Sequence, residues 1–116
     1  MPGKPSALPS DCFERVADAI RLLGHAQRLR IVEYLDLHGE RPVSGIVEGI
    51  GGRQAAVSQH LNKMRAAGII AARRAGRQIF YRLAAESAVT LLNCIRRQHG
   101  LQRVPPARDR RQASRR

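Results

Sequence analysis

The segment Gln54-Ala-Ala-Val-Ser-Gln-His-Leu-Asn-Lys-Met-Arg-Ala-Ala-Gly68, continued by Ile69-Ile-Ala-Ala-Arg-Arg-Ala-Gly-Arg-Gln-Ile-Phe-Tyr-Arg82, decides how this chain is read. Val57, Leu61 and Met64 recur at the three- and four-residue steps of a helix that buries one stripe. Gly68 follows as a residue that ends a helix without steric cost. Gln54, Ser58 and Gln59, near the amino end, give the same helix a polar edge. Residues 69–73 and 78–83 then read as two strands joined by the turn Arg74-Ala-Gly-Arg77. Ile79 and Tyr81 share one face of the second strand, and Phe80 and Arg82 share the other.

Four further helices surround this segment. From Asp11 to Gly24, Phe13, Val16, Ala17, Ile20 and Leu23 repeat at helical spacing, with Asp11 placed to cap and Gly24 to stop. A second helix is expected over about 25–38, with Leu29, Ile31, Val32 and Leu35 inward and Gly39 at its end. Pro42 forbids a helix interior and Ser44 can cap a short third helix over about 45–50. Gly49, Gly51 and Gly52 offer the backbone of a tight turn before the fourth helix, about 53–67. A last helix over about 85–99 carries Ala88, Leu91, Leu92 and Ile95. The fold class is therefore mainly α with a small β-hairpin: four helices, a hairpin and one helix more, the order of a winged helix-turn-helix. Residues 1–10, with three prolines, read as a disordered arm and 101–116 as a basic disordered tail. Residues 11–100 form one domain.

The balance of 21 Lys and Arg against 9 Asp and Glu, a formal charge of +12, points to polyanionic partners, nucleic acid before membrane. No apolar run approaches the roughly 20 residues of a spanning helix. The first ten residues lack the apolar block of a secretion signal, so a cytoplasmic location is expected. Two cysteines, Cys12 and Cys94, are too few for a zinc framework, and no metal or cofactor is expected. There is no His-Glu-x-x-His pair, phosphate loop or serine elbow, so no catalytic residues are assigned and an enzyme is not expected.

A DNA major groove accepts one α-helix and displays a distinct donor and acceptor pattern at each base pair. A helix of about 14 residues spans roughly 21 Å, enough to cross that groove. Gln54, Ser58 and Gln59 suit base contacts, since a glutamine amide can bridge adenine N6 and N7. Arg53 and Lys63 suit phosphates, which position a protein without carrying much sequence information. His60 lies beside the apolar stripe and reads as a packed or phosphate-bonded histidine before a metal ligand. Arg73, Arg74 and Arg77, with Gln78 beside them, place a basic hairpin tip where it can enter a minor groove or clamp its phosphates. The expected partner is double-stranded DNA. The competing reading is an architectural or RNA-binding module without sequence preference. Against it stands the scarcity of aromatic platforms, only Phe13, Tyr34, Phe80 and Tyr81.

Leu23-Gly-His-Ala-Gln-Arg-Leu-Arg-Ile31, Ala56-Val-Ser-Gln-His-Leu61, Met64-Arg-Ala-Ala-Gly68 and Arg74-Ala-Gly-Arg-Gln-Ile-Phe-Tyr-Arg-Leu83 together resemble the ArsR/SmtB family of small bacterial repressors over about residues 13–98. The resemblance implies a homodimer with the first and last helices at the seam. Two reading heads would then meet a near-palindromic operator, and an inducer would release them. The chain departs from the family at Ala26, where a proline is usual, and at Arg53, where a serine is usual. The cysteines of the family's metal box correspond to Pro42 and Ser44, and the last helix lacks the Asp-x-His and His-x-x-His pattern. Glu33 stands where persulfide-sensing members usually carry a cysteine. The family's sensor sites are therefore missing, and its inducers do not transfer.

Cys12 opens the first helix and Cys94 lies on the last, each beside an apolar stripe. Arg15, Arg21, Arg96 and Arg97 lie near enough in sequence to favour a thiolate. Three readings stay open: small core residues, thiols that sense an oxidant or reactive sulfur, and ligands for a metalloid such as arsenite.

Overall fold

The computed structural model describes residues 6–101. The expected arm and tail therefore lie outside the described residues for 1–5 and 102–116. The elements run α1 (Ser10–Leu23), α2 (Ala26–His38), β1 (Arg41–Pro42), α3 (Val43–Ile50), α4 (Gln54–Ala66), β2 (Ile70–Ala75), β3 (Gln78–Leu83) and α5 (Glu86–Gln98). The architecture is a mainly helical winged helix-turn-helix with a three-stranded antiparallel sheet in the order β1-β3-β2.

Several helix ends differ from the sequence expectation for local reasons. Pro9, not Asp11, occupies the position before α1, and it makes no side-chain cap. Asp11 lies in the first turn instead, where its charge faces the positive end of the helix dipole. His25 stands outside α2 as its cap, the ring Nδ1 accepting from the Gln27 N–H at 3.2 Å. Ser44 is likewise inside α3, because Pro42, in extended conformation, already occupies the capping position. Pro42 also belongs to β1, which sequence periodicity does not reveal; two residues are too few to show a period. As β1 is an edge strand, paired only to β3 through Arg41–Tyr81 and Pro42–Phe80, a proline is tolerated there.

Of the three glycines expected to form the turn before α4, only Gly51 and Gly52 do so, with φ of +79° and +110°. Gly49 lies within α3, and a Cβ there would overlap the Tyr34 ring of α2. Its role is close approach of two helices. The hairpin turn is also tighter than expected: Ala75 pairs with Gln78, leaving only Gly76 and Arg77 between the strands. Gly76 has φ +64° and Arg77 does not have positive φ, the glycine-first pattern of a type II′ hairpin.

The core gathers Ile31, Val32 and Leu35 from α2, Ile46 from α3, Val57, Leu61 and Met64 from α4, Tyr81 from the sheet, and Ala88 and Leu92 from α5. Helix α2 runs through its centre and touches α1, α3, α4, α5 and β3. The apolar stripe of α1 is helical as expected, yet only Leu23 is buried, while Phe13 and Ile20 are each 59% exposed. No helix among the described residues is long and apolar enough to cross a membrane.

One polar contact lies inside the core. Arg96 of α5 donates through Nη1 to Asp36 Oδ2 and to Asn93 Oδ1, each at 2.8 Å. Both charged side chains are almost wholly withdrawn from water, and Nη2 of Arg96 has no hydrogen-bond partner among the described residues. The sequence expectation places Arg96 beside a thiol; it is instead committed to α2. Removing one member of such a pair strands a charge in low dielectric, whereas replacing both with apolar groups removes the desolvation cost as well. Asp36→Ala should lower unfolding free energy by about 3–5 kcal/mol, with Asp36→Leu/Arg96→Met recovering most of it. Urea denaturation followed by circular dichroism measures both; an additive, doubly unstable pair would contradict this account of the core.

Candidate nucleic-acid interface

Helix α4 is held in rotation by its own apolar stripe. Val57, Leu61 and Met64 have 0% exposure. Because residues three and four apart share a helix face, sealing that stripe turns Gln54, Ala55, Gln59, Asn62 and Lys63 to the surface. Ser58 is half-buried at the edge of this face. Arg53 is exposed at the amino end of the helix. Asn62 is not among the residues expected from sequence, although its spacing from Ser58 and Gln59 places it between them and the carboxyl end of the same face. With 13 residues the helix spans roughly 20 Å, long enough to cross a major groove about 12 Å wide.

The start of α2 holds α4 from behind. Gln27 Nε2 donates to the carbonyl of Gly51 at 3.2 Å, tying the turn that leads into α4. Arg28 donates through Nε to His60 Nδ1 at 3.1 Å and through Nη1 to the carbonyl of Leu22 at 3.0 Å. The rings of His25 and His60 meet edge to face, 4.5 Å between centroids. His60 is thus a half-buried histidine whose Nδ1 is engaged within the protein. Its protonation is disfavoured, first by burial and then by the neighbouring His25, Arg28 and Lys63. Arg28 carries no signal in the sequence, because its partner lies 32 residues away.

The hairpin divides its arginines. Arg73 forms an ion pair with Glu40 at 2.7 Å and lies over the ring of Phe80, its cross-strand partner, 5.1 Å from the centroid. The hydrogen bond to Glu40, followed by its charge, holds the guanidinium of Arg73 more firmly protonated than usual. Arg74, Arg77 and Gln78 are exposed around the turn. The structure therefore brings Arg74, Arg77 and Gln78 to the tip and uses Arg73 to fasten the wing to the segment between α2 and β1.

The pattern described as "Bacterial regulatory protein, arsR family" matches residues 25–72, from the cap of α2 to the middle of β2. The biofilm growth-associated repressor of Xylella fastidiosa is 39% identical over 80 residues, covering 69% of each chain. The chain belongs to the arsR family of bacterial regulatory proteins. The regulator KmtR of Mycobacterium tuberculosis is 38% identical over 79 residues; the match covers 68% of this chain and spans 60% of KmtR. Among solved structures, the homodimeric winged helix-turn-helix DNA-binding domain Mb0332 of Mycobacterium bovis superposes with a TM-score of 0.67 at 28% identity, over 86% of this chain and 91% of that one. The first of these relatives is a repressor, the second a transcriptional regulator and the third a DNA-binding domain, whose winged helix-turn-helix fold this chain shares.

The cysteines of this arsR-family chain are both free thiols, half-buried on α1 and α5. Three of the four arginines expected to activate them are otherwise engaged: Arg15 with Asp11, Arg21 with Asp18, and Arg96 with Asp36. Among the described residues, no group of three or more His, Cys, Asp or Glu side chains is arranged to hold a metal ion.

The division within the wing has a measurable consequence. Abolishing one arginine–phosphate interaction should reduce the slope of log affinity against log salt by about 0.9. Arg74→Ala/Arg77→Ala should lower that slope by about 2 for each wing engaged on a duplex, while Arg73→Ala should leave it nearly unchanged. Fluorescence anisotropy across a salt series reads the slopes; a drop of a full unit on replacing Arg73 would move it onto the phosphates.

Proposed function

We propose that this protein is a homodimeric repressor that acts in the cytoplasm on a near-palindromic operator in duplex DNA and is released by an inducer. The observation that carries the reading is the locked rotation of α4, whose sealed stripe leaves a polar edge facing outward. In this reading Gln54, Ser58 and Gln59 contact bases, Arg53 and Lys63 contact phosphates, and His60 offers an outer N–H to the backbone. Arg74, Arg77 and Gln78 enter or straddle the adjacent minor groove. The unit that binds DNA and dimerises is residues 11–100.

Dimerisation is supported by the uncovered stripe of α1. Phe13, Val16 and Ile20 are exposed in the single chain, and covering the half of each that remains in water stabilises by roughly 1–1.5 kcal/mol. The Mycobacterium bovis domain of the same fold is homodimeric. A two-fold dimer presents two reading helices to half-sites about 34 Å apart, which makes the operator near-palindromic.

Selection of duplexes from a random-sequence pool, in excess competitor DNA, should enrich an inverted repeat. Ser58→Ala/Gln59→Ala should then reduce binding to the enriched duplex about a thousandfold or more, since two base-reading groups at ~1–3 kcal/mol each are removed from each half-site, and leave scrambled DNA nearly unaffected. A pool that never converges would favour the architectural reading instead.

Release is assigned to the thiols Cys12 and Cys94, one on each helix of the proposed seam. Hydrogen peroxide would take two electrons from the pair, giving one disulfide and two waters, and the cross-link would alter the separation of the reading heads. A reactive sulfur species or a metalloid bound by both sulfurs would act at the same place. Treatment with peroxide should give a Cys12–Cys94 cross-link in peptide mass spectra together with weaker binding to the enriched duplex. Unlinked thiols with unchanged binding would remove the redox version.

A further inference from the structure

We propose that Arg28 is a positioning residue for DNA reading: it joins the end of α1 to His60 of the reading helix, and it does so only while His60 is neutral. This rests on the operator reading above and adds to it a residue and a chemical condition.

The geometry is specific. One guanidinium donates through Nη1 to the carbonyl of Leu22 and through Nε to Nδ1 of His60. The adjacent residue, Gln27, holds the carbonyl of Gly51, one residue into the turn that opens the reading head. Two neighbouring side chains at the start of α2 therefore fix both the entry to α4 and its first two turns. A neutral imidazole that accepts at Nδ1 carries its hydrogen on Nε2, so the same contact leaves His60 an N–H for an outside acceptor such as a phosphate oxygen. Adding a proton at Nδ1 replaces the acceptor with a donor that faces the Arg28 N–H. The bond is then broken and two cations confront each other.

The groups facing His60 are His25 at the cap of α2, Arg28 on α2 and Lys63 on α4 itself. With burial, they hold His60 below its ordinary value of 6.5. The tied arrangement thus binds fewer protons than one in which His60 is released. It is fully favoured above that ordinary value and is lost as pH falls through the lowered one. The sign is diagnostic. A histidine acting only as a cation near phosphates would strengthen binding in acid; this tie predicts weaker specific binding.

The test uses the full chain, the duplex enriched from the random pool and a scrambled duplex of equal length. Affinity for the enriched duplex should fall severalfold between about pH 7.5 and pH 5.5, while the scrambled duplex is bound equally or more tightly in acid. His60→Asn should reduce that pH ratio to less than about twofold, since the amide does not titrate. Arg28→Met should lower specific affinity at about pH 7.5 and flatten the profile in the same way. Ring nitrogen NMR of the unaltered protein gives a measurement independent of the folding of any variant: His60 Nδ1 should be unprotonated near neutral pH. Constant or tighter specific binding in acid, or a protonated Nδ1 near neutral pH, overturns the tie. Failure of any duplex to outcompete scrambled DNA would instead sink the operator reading, and this proposal with it.

Discussion

The rest of this structure depends on the burial of one stripe, Val57, Leu61 and Met64, against the core. A helix can rotate about its axis at little backbone cost, so which residues it offers to a partner is decided by what it hides. Each of these side chains contributes roughly 1.5–3 kcal/mol when withdrawn from water, and turning α4 by one residue would expose at least one of them. The outward direction of Gln54, Gln59 and Asn62 is a consequence of that burial. Among the described residues their side chains have no hydrogen-bond partner, which is the capacity the proposed base contacts would use.

Helix α2 converts this local constraint into a rigid head. It supplies Ile31, Val32 and Leu35 to the core, accepts the close approach of α3 through Gly49, and anchors α5 through the buried Asp36–Arg96 pair. The same helix begins with Gln27 and Arg28, which hold the turn and α4. The wing is fastened separately, by Arg73 to Glu40 just beyond the end of α2. Both α4 and the wing are thus referred to one central element, so a displacement of α1 or α5 has a direct mechanical path to them.

Much of this was legible in the sequence because it is periodic. The five helices, the hairpin and the buried stripe of α4 follow from spacing and from glycine placement. What was not legible depends on contacts distant along the chain. β1 is too short to have a period and exists only because Tyr81 and Phe80 pair with it. Asp36 and Arg96 each look like surface charges until the fold brings them within 2.8 Å across 60 residues. Arg28 is indistinguishable from its neighbour Arg30 in sequence, yet one meets His60 and the other meets Gln27, three residues before it. Gly49 looks like part of a turn because helix interiors usually exclude glycine; a ring packed against the backbone is the exception.

The charge balance explains why positioning matters so much here. A formal charge of +12 supplies strong attraction to any duplex, and that attraction is blind to sequence. Discrimination must then come from a few uncharged groups, each good base contact contributing about 1–3 kcal/mol. Such contacts are steeply angular: a hydrogen bond weakens sharply once its geometry departs from near-linear. A loosely held α4 would keep nearly all its phosphate affinity and lose most of its preference among sequences. On the proposed reading, a strongly basic protein gains specificity chiefly through rigidity, and the side chains that supply rigidity, Gln27, Arg28 and the buried stripe, would bear on recognition as directly as those proposed to touch bases.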